Sequence, residues 1–250
     1  MWHCACTVSG DRYGRNPGTR RALTAVNVSG RLARFVQIRA PQRAIRAVNP
    51  IDSHPQRSSI RLQLRRNAVL RDMSAAQWEA LEPLLAIVDY RKGDRLVRQG
   101  DEEMAQVFVL DGMLKRVVTN PQGREMILRF AAENEMDTSY AAWRLRTPLP
   151  YSIVAVSKVR TAELPLAKWV DFIDRQVDVK ARFEYEVMKL MSEVMAHTIT
   201  LHLLDAPGRV LRFERKHPEL AGRIPKKELA AYLNLSPETL SRLKQKLGRG

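Results

Sequence analysis

The chain has 250 residues, with 42 Lys and Arg against 27 Asp and Glu, a formal net charge of +15. That length, with a 45% hydrophobic content, allows one large domain or two small ones, each with a buried core. Two cysteines, Cys4 and Cys6, exclude a disulfide framework and a four-cysteine zinc or iron–sulfur site; no apolar run reaches the roughly 18 residues that a membrane span needs.

The charge is unevenly spread. Residues 1–72 hold 14 Arg, no Lys and 3 acidic residues, whereas residues 73–250 carry a net charge of only +4. Short apolar stretches such as Leu32 to Ile38 are broken by Arg and Pro. The composition predicts a basic, disordered N-terminal extension over 1–72. Three readings of it stay open: a transit-peptide-like leader, an arm touching DNA phosphates, or a stretch preceding a true start at Met73.

From Met73 the pattern becomes orderly. Ser74 is a candidate N-cap, and Trp78, Leu81, Leu84 and Leu85 recur at helical spacing. Short β-favouring runs follow at 87–91, 95–98, 106–110, 113–119, 126–131, 151–156 and 159–164. Turn residues such as Lys92-Gly93-Asp94, Asp111-Gly112 and Asn120-Pro121-Gln122-Gly123 separate them. So many short strands predict an antiparallel β jelly roll, or double-stranded β-helix, within a domain spanning 73–175.

Around Val170 the period changes. Val177, Phe183, Val187, Leu190, Met191, Val194, Ile199 and Leu201 fall at spacings that leave an apolar stripe on a helix over 176–204. A helix this long beside a compact barrel predicts packing against a second copy, with an intramolecular core helix as the other reading. Asp205-Ala206-Pro207-Gly208 then breaks the helix, and 205–250 forms a last domain.

That segment holds a helical pattern from Pro207 to Arg215, with Val210, Leu211 and Phe213 as its apolar positions, and then two short helical patterns joined by a tight turn. Pro225 leads into Lys226 to Leu233; Asn234 tolerates a positive φ; Ser236 and Pro237 open a second helix that Gly248 closes. Leu229, Leu233, Leu235, Leu240 and Leu243 form the inward set, and small Ala230 lets the helices approach. Residues 223–249 carry seven basic and two acidic side chains. The spacing fits a helix-turn-helix with Pro237, Glu238, Thr239, Ser241 and Arg242 near base edges and Lys244 and Lys246 at phosphates.

A β-roll, a long helix and a C-terminal helix-turn-helix, in that order, resemble the Crp/Fnr family of bacterial transcription regulators over about 73–250. Lys92 to Asp101 followed by Val107 to Gly112 looks like the family's glycine-marked strand pairs, and Leu233 to Arg242 is similar to its recognition element, with Asn234 where Gly is usual. The resemblance implies an α+β protein with a C-terminal winged-helix-like helix-turn-helix and no enzymatic activity. It implies a cytoplasmic homodimer, joined through 177–204, on a palindromic double-stranded DNA operator with RNA polymerase as a further partner. Glu238, Ser241 and Arg242 would then occupy base-reading positions.

The ligand site matches the family less well. Cyclic-AMP-binding members carry a Gly-Glu pair and a later Arg-Ser or Arg-Thr pair. Here the stretches read Glu133 to Tyr140 and Leu149-Pro150-Tyr151-Ser152. With the phosphate-binding Arg missing and three carboxylates in the turn, cyclic AMP is not expected. Iron–sulfur members need several Cys in or near the sensor, and Cys4 and Cys6 lie in the N-terminal extension, so no cluster is expected either and no cofactor or metal ligand set is assigned. Asp137, Thr138, Ser139, Tyr140, Tyr151 and Ser152 are the expected effector pocket. His197 and His202 read as ordinary polar positions. The alternative to a DNA-binding regulator is a degenerate sensory or scaffold protein acting through protein partners. A cupin-like enzyme is disfavoured because 87–165 contains no His.

Overall fold

The computed structural model describes residues 49–247. Cys4, Cys6 and His3, with the rest of 1–48, lie outside the described residues, as do 248–250.

Among the described residues, nine strands build two antiparallel sheets. The first has the order β1-β2-β9-β4-β7 and the second the order β3-β8-β5-β6. In chain order the strands are β1 (Asn49–Pro50), β2 (Ala86–Tyr90), β3 (Arg95–Val97), β4 (Ala105–Asp111) and β5 (Leu114–Thr119). They continue with β6 (Glu125–Ala131), β7 (Met136–Thr138), β8 (Ser152–Ala155) and β9 (Val159–Pro165). The jelly roll read from the sequence is present, and β1 and β7 are additions to it. Gly112 and Gly123 turn the chain at φ 84° and 79°, a region that costs glycine little. Between the sheets lie Val107, Val109, Leu114, Ile153 and Val159, each at most 2% exposed.

The expectation for 1–72 is corrected over its described part. Residues 51–72 are folded, with α1 (Arg57–Leu64) as their helix. Ile51, Ile60, Leu64, Val69 and Leu70 enter one core cluster with Trp78, Trp169 and Phe183. Arg57 and Arg61 both pair with the buried Glu82, so part of the excess positive charge is neutralised inside the fold. Apolar residues scattered among arginines hid this element, because burial of α1 depends on a surface made by distant segments. The helix α2 (Ala75–Leu81) carries a capping box between Ser74 and Gln77, as the Ser74 cap led one to expect.

The remaining helices are α3 (Tyr140–Leu145), α4 (Leu166–Ile173), α5 (Val177–Leu203), α6 (Ala206–Lys216), α7 (Pro218–Ala221), α8 (Lys226–Tyr232) and α9 (Pro237–Leu247). The single apolar stripe predicted on α5 is really two. Val179, Phe183 and Leu190 are buried against the roll, while Tyr185, Met188, Met191, Met195 and Ile199 are exposed. Val177, predicted on the stripe, is 81% exposed. After β9 the described residues contain no strand, so the winged-helix-like expectation is corrected to an all-helical C-terminal segment. That segment packs on the second sheet: Val117, Ile127, Phe130 and Val154 share a core with Val210, Phe213, Leu229 and Tyr232.

Candidate functional site

Two regions carry the residues singled out in the sequence. The first is the α8–α9 pair. Asn234 adopts φ 53° between the two helices, a left-handed conformation that Asn tolerates better than most residues. Leu235 N–H donates to the Ala230 carbonyl at 2.8 Å, closing the turn, and Ala230 is fully buried where the helices approach. Ser236 Oγ accepts from Thr239 N–H at 3.1 Å and so caps α9. Leu229, Leu233 and Leu240 are buried.

This geometry sorts the predicted contact residues. Glu238, Arg242 and Lys246 are exposed; Pro237, Thr239, Ser241 and Lys244 are half-buried. The Ser241 hydroxyl donates to the Pro237 carbonyl at 2.7 Å, and Thr239 Oγ1 accepts from Ser236 Oγ at 3.1 Å, so both hydroxyls already have local partners. Lys244 Nζ lies 3.3 Å from Glu214 of α6. Arg242, midway along α9, and Lys246 are therefore its exposed cations, and Arg242 is the one closer to the start of the helix. The sequence reading treated these side chains as equivalent, although a Ser or Thr within a helix commonly bonds back to a carbonyl one turn earlier.

The second region is the expected effector pocket, and here the structure differs. Residues 137–140 are not an open turn: Asp137 and Thr138 end β7, and Tyr140 begins α3. Asp137, Thr138, Ser139, Tyr140, Tyr151 and Ser152 are all buried, at most 9% exposed. Asp137 receives hydrogen bonds from Arg116 and Arg129, and the Tyr151 hydroxyl donates to the Thr138 carbonyl at 2.8 Å. Burial pushes the Tyr151 phenol above its ordinary pKa, so it remains a neutral donor. Burial also opposes the charge of Arg116, but the Asp137 carboxylate outweighs it and holds its pKa above the ordinary value.

Sequence reasoning missed both arginines. They come from β5 and β6 rather than from the expected turn, and only the strand register brings them to Asp137. A cyclic nucleotide does not fit these residues. The chain's own carboxylate fills the position between the two guanidiniums, and Tyr151 stands in the stretch where the family's phosphate-binding Arg is expected. A separate cleft of about 180 Å³ opens nearby between residues 66–69, β7 and α5. Arg66, Arg129, Lys189, Glu135, Glu186 and Glu193 line it, a mixed set of charges. None of the six expected pocket residues faces that cleft.

His197 is the other residue that sequence reasoning undervalued. Its ring stacks on Tyr232 of α8 with centroids 3.7 Å apart and planes 2° from parallel. Burial lowers its pKa to about 4. The His spacing along α5 held no sign of this, since its partner lies 35 residues downstream.

Residues 87–176 match the family profile described as cyclic nucleotide-binding domain. The nitrogen fixation regulation protein FixK of Bradyrhizobium diazoefficiens is 23% identical over 197 residues, covering 74% of this chain and 81% of FixK. Among solved structures, the c-di-GMP responsive global regulator CLP of Xanthomonas campestris superposes with a TM-score of 0.58 at 15% identity, covering 70% of this chain and 92% of CLP. FixK2 from Bradyrhizobium japonicum gives 0.58 at 16% identity, covering 66% and 85%. No helix among the described residues is long and apolar enough to cross a membrane. The chain thus carries a segment similar to cyclic nucleotide-binding domains over 87–176, is similar along most of its length to the regulation protein FixK, and shares its fold with CLP and FixK2.

Proposed function

We propose that the chain is a sequence-specific DNA-binding transcription regulator, not an enzyme, that works as a homodimer in the cytoplasm. The observation that carries the reading is the α8–α9 pair: a tight turn at Asn234, a capped second helix, and Glu238 exposed near its start and Arg242 midway along it. A helix presented in this way fits the major groove, with Arg242 addressing a guanine edge and Glu238 accepting from cytosine. Lys244 and Lys246 then serve phosphates, and Lys244 must leave Glu214 to do so.

A second copy of the chain is the partner that suits α5. Tyr185, Met188, Met195 and Ile199 expose a continuous apolar row opposite the face held by the roll. Two recognition helices related by a two-fold axis would read half-sites of a palindromic operator about one helical turn apart. The roll would sense an effector and reposition the C-terminal helices, with RNA polymerase as the downstream partner. The similarity to FixK, itself a regulation protein, supports this order of roles.

Selection of bound fragments from genomic DNA tests the reading. The wild-type chain should enrich a two-fold symmetric motif. Arg242→Ala should weaken binding to it by roughly 10- to 100-fold, the loss expected for one base contact. An unenriched pool, or an unchanged preference in the Arg242→Ala chain, contradicts the assignment.

A further inference from the structure

The interior of the roll holds a pair of facing cations. Arg116 on β5 and Arg129 on β6 stand opposite one another in register, and they are 3% and 8% exposed. The Asp137 carboxylate of β7 lies between them; one oxygen accepts from Arg116 and the other from Arg129 at 3.4 Å. Arg116 also donates to the Thr138 carbonyl at 3.1 Å, and its guanidinium sits 4.0 Å from the centroid of the Tyr151 ring. Its Nε is buried without an acceptor, so the cradle has a donor in reserve. Arg116 approaches Asp137 from the interior and Arg129 from the side that lines the cleft, where it also lies 3.6 Å from Glu135 and donates to the Met136 carbonyl at 3.1 Å. Two guanidiniums meeting at one carboxylate are suited to an oxyanion, and here the chain supplies that oxyanion itself.

The same two strands have a second face. Lys115 is opposite Phe130 in the register, one residue along from the arginines on each strand. Successive strand residues point to opposite sides, so this pair faces the C-terminal helices. Lys115 Nζ lies 2.7 Å from Glu228 of α8, and the Phe130 ring is 5.2 Å from that of Tyr232. The oxyanion cradle and the seat of α8 are thus two faces of one strand pair.

We propose that Arg116 and Arg129 form an oxyanion site whose built-in occupant is Asp137, and that its occupancy is passed through Lys115 and Phe130 to α8. A small carboxylate is the ligand class that fits the space vacated when Asp137 is shortened. The proposal rests on the reading above that roll and C-terminal helices are coupled. It requires no DNA.

The test compares the full wild-type chain with Asp137→Ala in sodium formate and in sodium chloride at equal ionic strength. Thermal unfolding and amide exchange are read, with the β2–β9 pair as the internal reference. In chloride the Asp137→Ala chain should melt roughly 10 °C lower, because a buried cation loses its partner. Exchange in α8 should rise more than in β2–β9. Formate should reverse both changes, leave the wild type as it is in chloride, and have no effect once Arg116→Met is added. If Asp137→Ala does not fold in chloride, the likewise shortened Asp137→Ser is measured in the same way, and folding of either variant in formate alone supports the site. The proposal is overturned if formate leaves both variants as they are in chloride, if the wild type responds equally, or if exchange rises evenly across α8 and β2–β9. Neither readout involves DNA, so a failure here is distinct from a failure of the DNA-binding reading.

Discussion

Asn234 adopts a backbone conformation that costs most side chains about 1 kcal/mol or more, and it does so at φ 53° in the turn that sets α8 against α9. Its Oδ1 also accepts from Arg124 of the roll at 3.4 Å. Replacing it with Ala should destabilise the chain by about 1 kcal/mol, since a Cβ without the local polar group strains the left-handed region. Asn234→Gly should stay within a few tenths of wild type. Denaturant midpoints at constant m-value check both. Arg242 is the opposite kind of residue: it is exposed, and its substitution should change DNA affinity while leaving the midpoint unmoved.

At the scale of elements, α5 joins two bodies of structure with different faces. One holds Val179, Phe183 and Leu190 against the roll, and near its other end His197 stacks on Tyr232. His197 has a folded pKa near 4, below its ordinary value of 6.5, chiefly through burial, so the unfolded chain binds the extra proton first as pH falls. Stability from this stack is present above pH 6.5 and is lost as pH falls from there toward 4. Below that, both states are protonated and the loss stops. Lys216 and His217 sit near the ring, and the His217 pKa is also lowered by burial. The His197 contribution should be on the order of 1–2 kcal/mol, discounted because the ring is only half-buried. Urea unfolding at pH 7 and pH 4.5 should show a smaller loss for His197→Gln than for wild type; equal losses would remove His197 as the cause.

For the whole molecule, the unexpected contribution is that of residues 51–72. Ile51, Ile60, Leu64, Val69 and Leu70 are each at most 2% exposed in the cluster built around Trp78, Trp169 and Phe183. At about 1.5–3 kcal/mol for each buried aliphatic side chain, their removal approaches the entire stability of an ordinary domain. A chain starting at Met73 should therefore be insoluble or molten, whereas one starting at residue 49 should melt cooperatively. Expression and calorimetry of the two truncations distinguish these outcomes. The same finding bears on the net charge: arginines that looked like a solvated tail, Arg57 and Arg61, hold Glu82 inside the fold.

Features that depend on near neighbours were legible in the residues alone. The roll's strands alternate and are punctuated by Gly turns. Ser74 and Ser236 cap helices through groups three positions away, and Asn234 announces its turn because few residues adopt that φ. The tertiary structure decided whatever needs a partner far along the chain. Register alone puts Arg116 and Arg129 around Asp137 and turns an expected open pocket into a filled one. Burial of α1 requires a surface assembled from α2, α4 and α5, and His197 finds Tyr232 only after two further helices have folded back. Local periodicity records which face of an element is apolar; it does not record what that face will meet, because the contact free energy belongs to the pair.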